Sequence, residues 1–160
     1  MDERRPAVLA IDHGEKHTGF AYVDALRLVP LPLAAYHGPG HGSGIVKYIE
    51  RELAQRTVGL FLVGLPVQLA ALAKTPAPTA SKLSREGQVR SFADALRQHF
   101  PDVAVVLYDE HLTTKAAEEL AREANLSLRQ MRERSDSLSA LVLLRDWLSS
   151  GEPIHGLGRA

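Results

Sequence analysis

The stretch Ala7-Val8-Leu9-Ala10-Ile11-Asp12-His13-Gly14 decides how this 160-residue chain is read. Five apolar residues in succession, ending at Asp, His and Gly, describe a short buried strand that stops in a polar turn. The same pattern recurs twice. Val58 to Val63 ends at Gly64-Leu65-Pro66, and Val103 to Leu107 ends at Asp109-Glu110. Unbroken apolar runs of this length, as opposed to alternating ones, belong to strands covered by helices on both faces. Around them, Thr18 to Val23 is β-rich and pairs back as a second strand. Arg27 to Tyr36 gives a third, at the sheet edge, because Pro30 and Pro32 cannot donate to a ladder.

Helical spacing fills the intervals. Ile45, Val46, Ile49 and Leu53 mark one helix, and Val89, Phe92, Ala93 and Leu96 mark another, closed by Pro101. Ala117, Leu120, Ala121 and Ala124 mark a third. Ser127 and Gln130 have capping-box spacing and are expected to open a short turn, before a last apolar helix from about Ser135 to Ser149. The order predicts an α/β fold: one mixed five-stranded sheet flanked by helices, three antiparallel strands followed by βα units. Residues 1–150 form a single domain in this reading, with 151–160 a frayed tail. Gly38 to Gly44 reads as a flexible connection, and Val67 to Ser84 as a long loop rich in Ala, Thr and Pro.

Composition narrows the function. Lys+Arg and Asp+Glu are equal at 19 each, which argues against a histone-like binder and requires any nucleic-acid surface to be local. The absence of cysteine removes disulfides, thiolate nucleophiles and Cys-based zinc sites. The charged N-terminus and the lack of an 18-residue apolar stretch lead to the expectation of a cytoplasmic protein with no membrane partner.

Chemistry is expected at the carboxyl ends of the buried strands. A carboxylate there is costly to desolvate without a cation or hydrogen-bond donors, and two from separate strands repel unless a divalent ion joins them. Oxygen ligands without cysteine or a well-spaced histidine pair select Mg²⁺ or Mn²⁺. Asp12 ends the first buried strand, Asp109 and Glu110 end the last, and Asp136 stands at the start of the final apolar helix. Each has a plainer alternative: a turn residue, a rim ion pair, and a helix-capping acid. The histidines at 13 and 17 read as turn residues, and those at 37 and 41 as loop residues.

Four blocks together resemble the RuvX/YqgF family: Ile11-Asp12-His13-Gly14-Glu15-Lys16-His17-Thr18-Gly19, then Gly64-Leu65-Pro66, then Asp109-Glu110-His111-Leu112-Thr113-Thr114, then Asp136-Ser137-Leu138-Ser139-Ala140. They span about residues 7 to 149 in the family's order. The resemblance implies an RNase H-like fold and a nuclease, described either as a Holliday junction resolvase or as maturing the 5′ end of pre-16S ribosomal RNA. It also implies that Asp12, Glu110 and Asp136 are the catalytic, metal-binding acids, serving two Mg²⁺ or Mn²⁺ ions. Lys16, Thr113 and Thr114 match family positions and become candidate substrate contacts. To these the charge pattern adds a basic stretch of Lys74, Lys82, Arg85 and Arg90 as a candidate track for phosphates, with a solvated helix face as its alternative. Two departures stand out. His111 replaces the usual Arg, and Val67-Gln68-Leu69-Ala70-Ala71 replaces a polar Asn-Met-Asp-Gly-like stretch.

The expected partner is thus a nucleic acid, an rRNA precursor or a branched DNA, cut by a monomer or a homodimer. Two rival readings stay open. The first block also resembles the phosphate loop of actin-like and sugar-kinase ATPases, which however need two such domains. A non-catalytic nucleic-acid- or protein-binding module would keep the fold without the reaction.

Overall fold

A computed structural model of the chain describes residues 5–66, 84–110, 119, 122, 123, 125 and 127–154, leaving aside the side chains at 110, 128 and 131–136. Five strands form one sheet: β1 (Val8–Asp12), β2 (His17–Val23), β3 (Leu31–His37), β4 (Leu60–Pro66) and β5 (Ala104–Glu110), in the order β3-β2-β1-β4-β5. β1, β2 and β3 pair antiparallel, whereas β1 with β4 and β4 with β5 pair parallel. This is the mixed sheet that the order of apolar runs predicted. The buried runs extend one to three residues further than their apolar cores, so that Asp12, Pro66 and Glu110 are strand residues at the common carboxyl edge.

Alternation along the strands builds two cores. Leu9, Ile11, Phe20, Phe61, Val63, Leu65 and Leu107 face α1 (Ser43–Gln55) and α2 (Arg85–His99), which contribute Ile45, Ile49, Val89, Phe92, Ala93 and Leu96. Val8, Ala10, Ala21, Val23, Leu60, Leu62 and Val106 point the other way, onto α3 (Leu128–Ser149) with its Ala140, Leu141, Leu143, Leu144 and Trp147. Ala10 and Ala21 are paired across β1 and β2 and lie in one cluster with Ala140, so small residues meet where helix and sheet approach.

The helix ends follow their local chemistry. Ser84 caps α2, its side chain accepting from the Gly87 amide at 3.0 Å. The capping box at Ser127 and Gln130 is formed, but it opens all of α3 and not a separate short turn. The last helix therefore begins at Leu128, seven residues before the start expected at Ser135. Its first two turns hold only Leu128 and Met131 as apolar residues, too few for periodicity alone to mark them.

Two further expectations change. β3 starts at Leu31 and not at Arg27, because Arg27 adopts a left-handed backbone (φ 57°) in a turn closed by its amide on the Asp24 carbonyl. Residues 151–154 are not a frayed end. Glu152 accepts from Arg27 at 2.8 Å and from Arg5 at 3.0 Å, and the Trp147 indole N–H donates to the Pro153 carbonyl at 3.1 Å. The expected loop at 67–83, most of the expected helix at 117–124, and residues 155–160 lie outside the described residues.

Candidate active site at the carboxyl edge of the sheet

The register brings the predicted acids into relation. Ile11 pairs with Val63, and Val63 with Leu107. One residue further along stand Asp12 on β1 and Gly64 on β4, the latter paired with Tyr108 on β5. Gly64 interposes no side chain between Asp12 and β5. Position 110 follows Tyr108 by two residues, so strand alternation puts it on the sheet face of Asp12, while Asp109 falls on the opposite face with Leu65. That shared face is the one covered by α3. Position 136 lies on that helix, four residues before Ala140, which packs against the sheet. It lies more than two turns inside α3, so a helix-capping role for Asp136 is ruled out by the backbone.

Asp12 itself is half-buried. Its strand is separated from β5 by one strand, about 10 Å in all, a span that two carboxylate side chains can bridge through a cation. Oxygen donors only, on one face at one rim, are the chemistry that Mg²⁺ or Mn²⁺ takes. Among the described residues no three His, Cys, Asp or Glu side chains form a metal cluster, the side chains of Glu110 and Asp136 not being among them.

The turn after Asp12 is held from two sides. From the β3–α1 connection, the Gly38 amide donates to the Lys16 carbonyl at 2.8 Å and the Gly40 amide to the Glu15 carbonyl at 3.0 Å. From the first turn of α2, the Arg85 guanidinium donates to the His13 carbonyl, and the Gln88 side-chain amide donates to Glu15 Oε1 at 3.0 Å. Gly38 to Gly44 is therefore a packed clasp at its first half, where a flexible connection was expected. A Cβ at Gly40 would stand 2.6 Å from His13 Nε2 and still closer to the Gly14 carbonyl oxygen, so only glycine fits.

His13 is the functional neighbour that sequence reading missed. It points away from the Asp12 face, only 5% exposed, with its ring 4.4 Å from that of Phe92 on α2. Nε2–H donates to the Gly40 carbonyl at 2.7 Å, and the buried Nδ1 has no partner among the described residues. Burial pushes its pKa below the ordinary 6.5; the Gly40 hydrogen bond pulls the other way, and Arg85 adds to the lowering. Above about pH 6.5 the ring is neutral in both the folded and the unfolded chain. Below that, the unfolded chain takes up a proton that the folded one resists, so stability falls with acidity and levels off beneath the folded pKa. Thermal melts of metal-free protein should show this acid-side loss, and His13→Gln should flatten it. An identical pH profile in the variant would remove His13 as its source.

The other predicted contacts fare differently. Lys16 is exposed on the turn beside Asp12. Arg85 is bound to the turn's backbone, and Arg90 forms an ion pair with Glu86 at 3.0 Å along the same helix. Lys74, Lys82, His111, Thr113 and Thr114 lie outside the described residues. His17 and His37, expected in a turn and a loop, are instead strand residues of β2 and β3, paired with each other.

A family model described as RuvX, Holliday junction resolvase, matches residues 6–150. The chain belongs to the RuvX family. A RuvX-like relative from Flavobacterium johnsoniae, provisionally named a pre-16S rRNA nuclease, is 31% identical over 147 residues, covering 91% of this chain and 97% of its own. Among solved structures, the Fowlpox virus resolvase in complex with Holliday junction DNA aligns with a TM-score of 0.56 at 11% identity, over 92% of this chain and 99% of its own. Thermus thermophilus RuvC aligns at 0.51 with 13% identity, over 91% and 97%. The fold is thus RNase H-like, as the four sequence blocks implied, and this RuvX-family chain is a nuclease acting on nucleic acid. No described helix is long and apolar enough to cross a membrane.

Proposed function

We propose that this RuvX-family chain hydrolyses phosphodiester bonds in maturing the 5′ end of pre-16S rRNA, in the cytoplasm, with Asp12, Glu110 and Asp136 as its catalytic acids. What supports the site is the common sheet face of Asp12 and position 110 at the carboxyl edge, with position 136 on the helix that covers that face. These carboxylates would hold two Mg²⁺ or Mn²⁺ ions. When bound, such ions lower the pKa of a water and offset charge on the leaving oxygen. The chain's own residues do the rest. Asp12 is presented on a rigid buried strand, and Arg85 and Gln88 fix the turn that follows it. Lys16, exposed on that turn, would take a substrate phosphate. Lys82, Arg85, Arg90, Thr113 and Thr114 are the remaining proposed substrate contacts, Arg85 acting in part through the His13 carbonyl.

A monomer suffices to trim one RNA strand. The second reading is junction resolution, favoured by the description of the family model, and it needs a homodimer to make two symmetric cuts. Purified protein with Mn²⁺, assayed on a precursor rRNA 5′ end and on a synthetic four-way junction, decides between them. At least about tenfold faster cleavage of the RNA is expected. The reverse preference would establish resolution, and no cleavage of either would leave the non-catalytic module.

A further inference from the structure

His17 opens β2 and His37 closes β3, and the two are direct cross-strand partners. Both are exposed. Their Nδ1 atoms meet at 2.7 Å, with the rings edge to face at 4.8 Å between centroids. One Nδ1–H donates and the other nitrogen accepts, so two imidazole nitrogens converge on one solvent-facing point. We infer that this pair is a chelating site for a borderline transition-metal ion, of the Zn²⁺, Ni²⁺ or Cu²⁺ class, separate from the oxygen donors at Asp12.

The geometry is close to what such an ion needs. Zinc–imidazole bonds of 2.0–2.1 Å in tetrahedral geometry set two ligand nitrogens about 3.3 Å apart. The rings must therefore open by roughly 0.6 Å, which small side-chain rotations supply. The imidazole that carries its proton on Nδ1 in the hydrogen-bonded pair holds it on Nε2 once Nδ1 ligates, so that neutral rings bind with no net proton uptake. The strands keep the two residues in register, and the Gly38 amide on the Lys16 carbonyl pins the end of the hairpin beside them. Little ordering is left to be done on binding. Imidazole pairs favour these ions over Mg²⁺, whereas carboxylates favour Mg²⁺, so the two sites sort their metals by ligand chemistry. Among the described residues no third His, Cys, Asp or Glu completes the site, so the remaining positions stay open to water or a phosphate oxygen. The place adds interest to that opening. Asp12 pairs with Gly19, and His17 lies two residues further along β2, on the same face and at the same edge of the sheet.

The test uses the full chain without a polyhistidine tag, stripped by chelator and then held in excess Mg²⁺, with Zn²⁺ titrated by calorimetry. One Zn²⁺ per chain is expected. His17→Ala and His37→Ala should each weaken it at least tenfold, while Asp12→Asn and His99→Gln leave it unchanged. If either of the first two variants binds within twofold of the unaltered protein, or if Asp12→Asn loses the ion, the assignment is overturned. Imidazole ¹⁵N spectra of the unaltered protein provide a reading that needs no mutation. Zn²⁺ should move the Nδ1 signals of His17 and His37, and movement confined to other histidines overturns the site.

Discussion

Asp12→Asn should lower Mg²⁺- or Mn²⁺-dependent cleavage by about a thousandfold or more, with the melting temperature nearly unchanged. The size follows from removing a charged oxygen ligand from metal-assisted chemistry, a loss of several kcal/mol at roughly 1.4 kcal/mol per tenfold. The mild effect on folding follows from position. Asp12 ends β1, half-exposed, beyond the buried run Val8 to Ile11 that anchors the strand. Asparagine keeps the shape and leaves that run untouched. Cleavage rates and thermal melts on the same preparation check both halves, and full activity in a folded variant would falsify the acid assignment.

Gly40→Ala should have the largest effect among changes made outside the acids. The added Cβ meets the buried His13 Nε2 and the half-buried Gly14 carbonyl, and His13 cannot retreat without breaking its hydrogen bond to the Gly40 carbonyl. Overpacking of this kind costs about 1–3 kcal/mol, and a lost buried hydrogen bond about 1 kcal/mol more. For a domain of this length, that is a drop in melting temperature of roughly 5–10 °C. Because the displaced turn begins at the residue after Asp12, kcat should fall along with stability. A variant that melts and cleaves like the unaltered protein would show that the β3–α1 connection does not hold the turn.

The architecture was legible because its strongest signals are local and hydrophobic. The runs at Ala7 to Ile11, Val58 to Val63 and Val103 to Leu107 each became a strand of the parallel half of the sheet, β1, β4 and β5, and the four apolar positions of α2 are all buried. Asp12 and Glu110 stood out as candidates for a related reason, since a carboxylate closing an apolar run is conspicuous. What stayed hidden depends on partners distant in sequence. His13 finds Gly40 and Phe92, and His17 finds His37, at separations that no periodicity encodes. The glycines from 38 to 44 looked like freedom, yet at Gly40 the missing side chain serves close approach. The start of α3 was obscured by its polar first turns, although Ser127 and Gln130 had already marked it.

Glu152 joins Arg5 and Arg27 at the end of β1 opposite Asp12, the Arg27 guanidinium also reaching the Pro6 carbonyl. Residues 5 and 6 and residues 151–154 therefore meet at one corner of the fold, latched by a single carboxylate. That latch lies at the opposite end of β1 from the rim proposed to receive the polynucleotide, so cutting it tests the fold separately from the site.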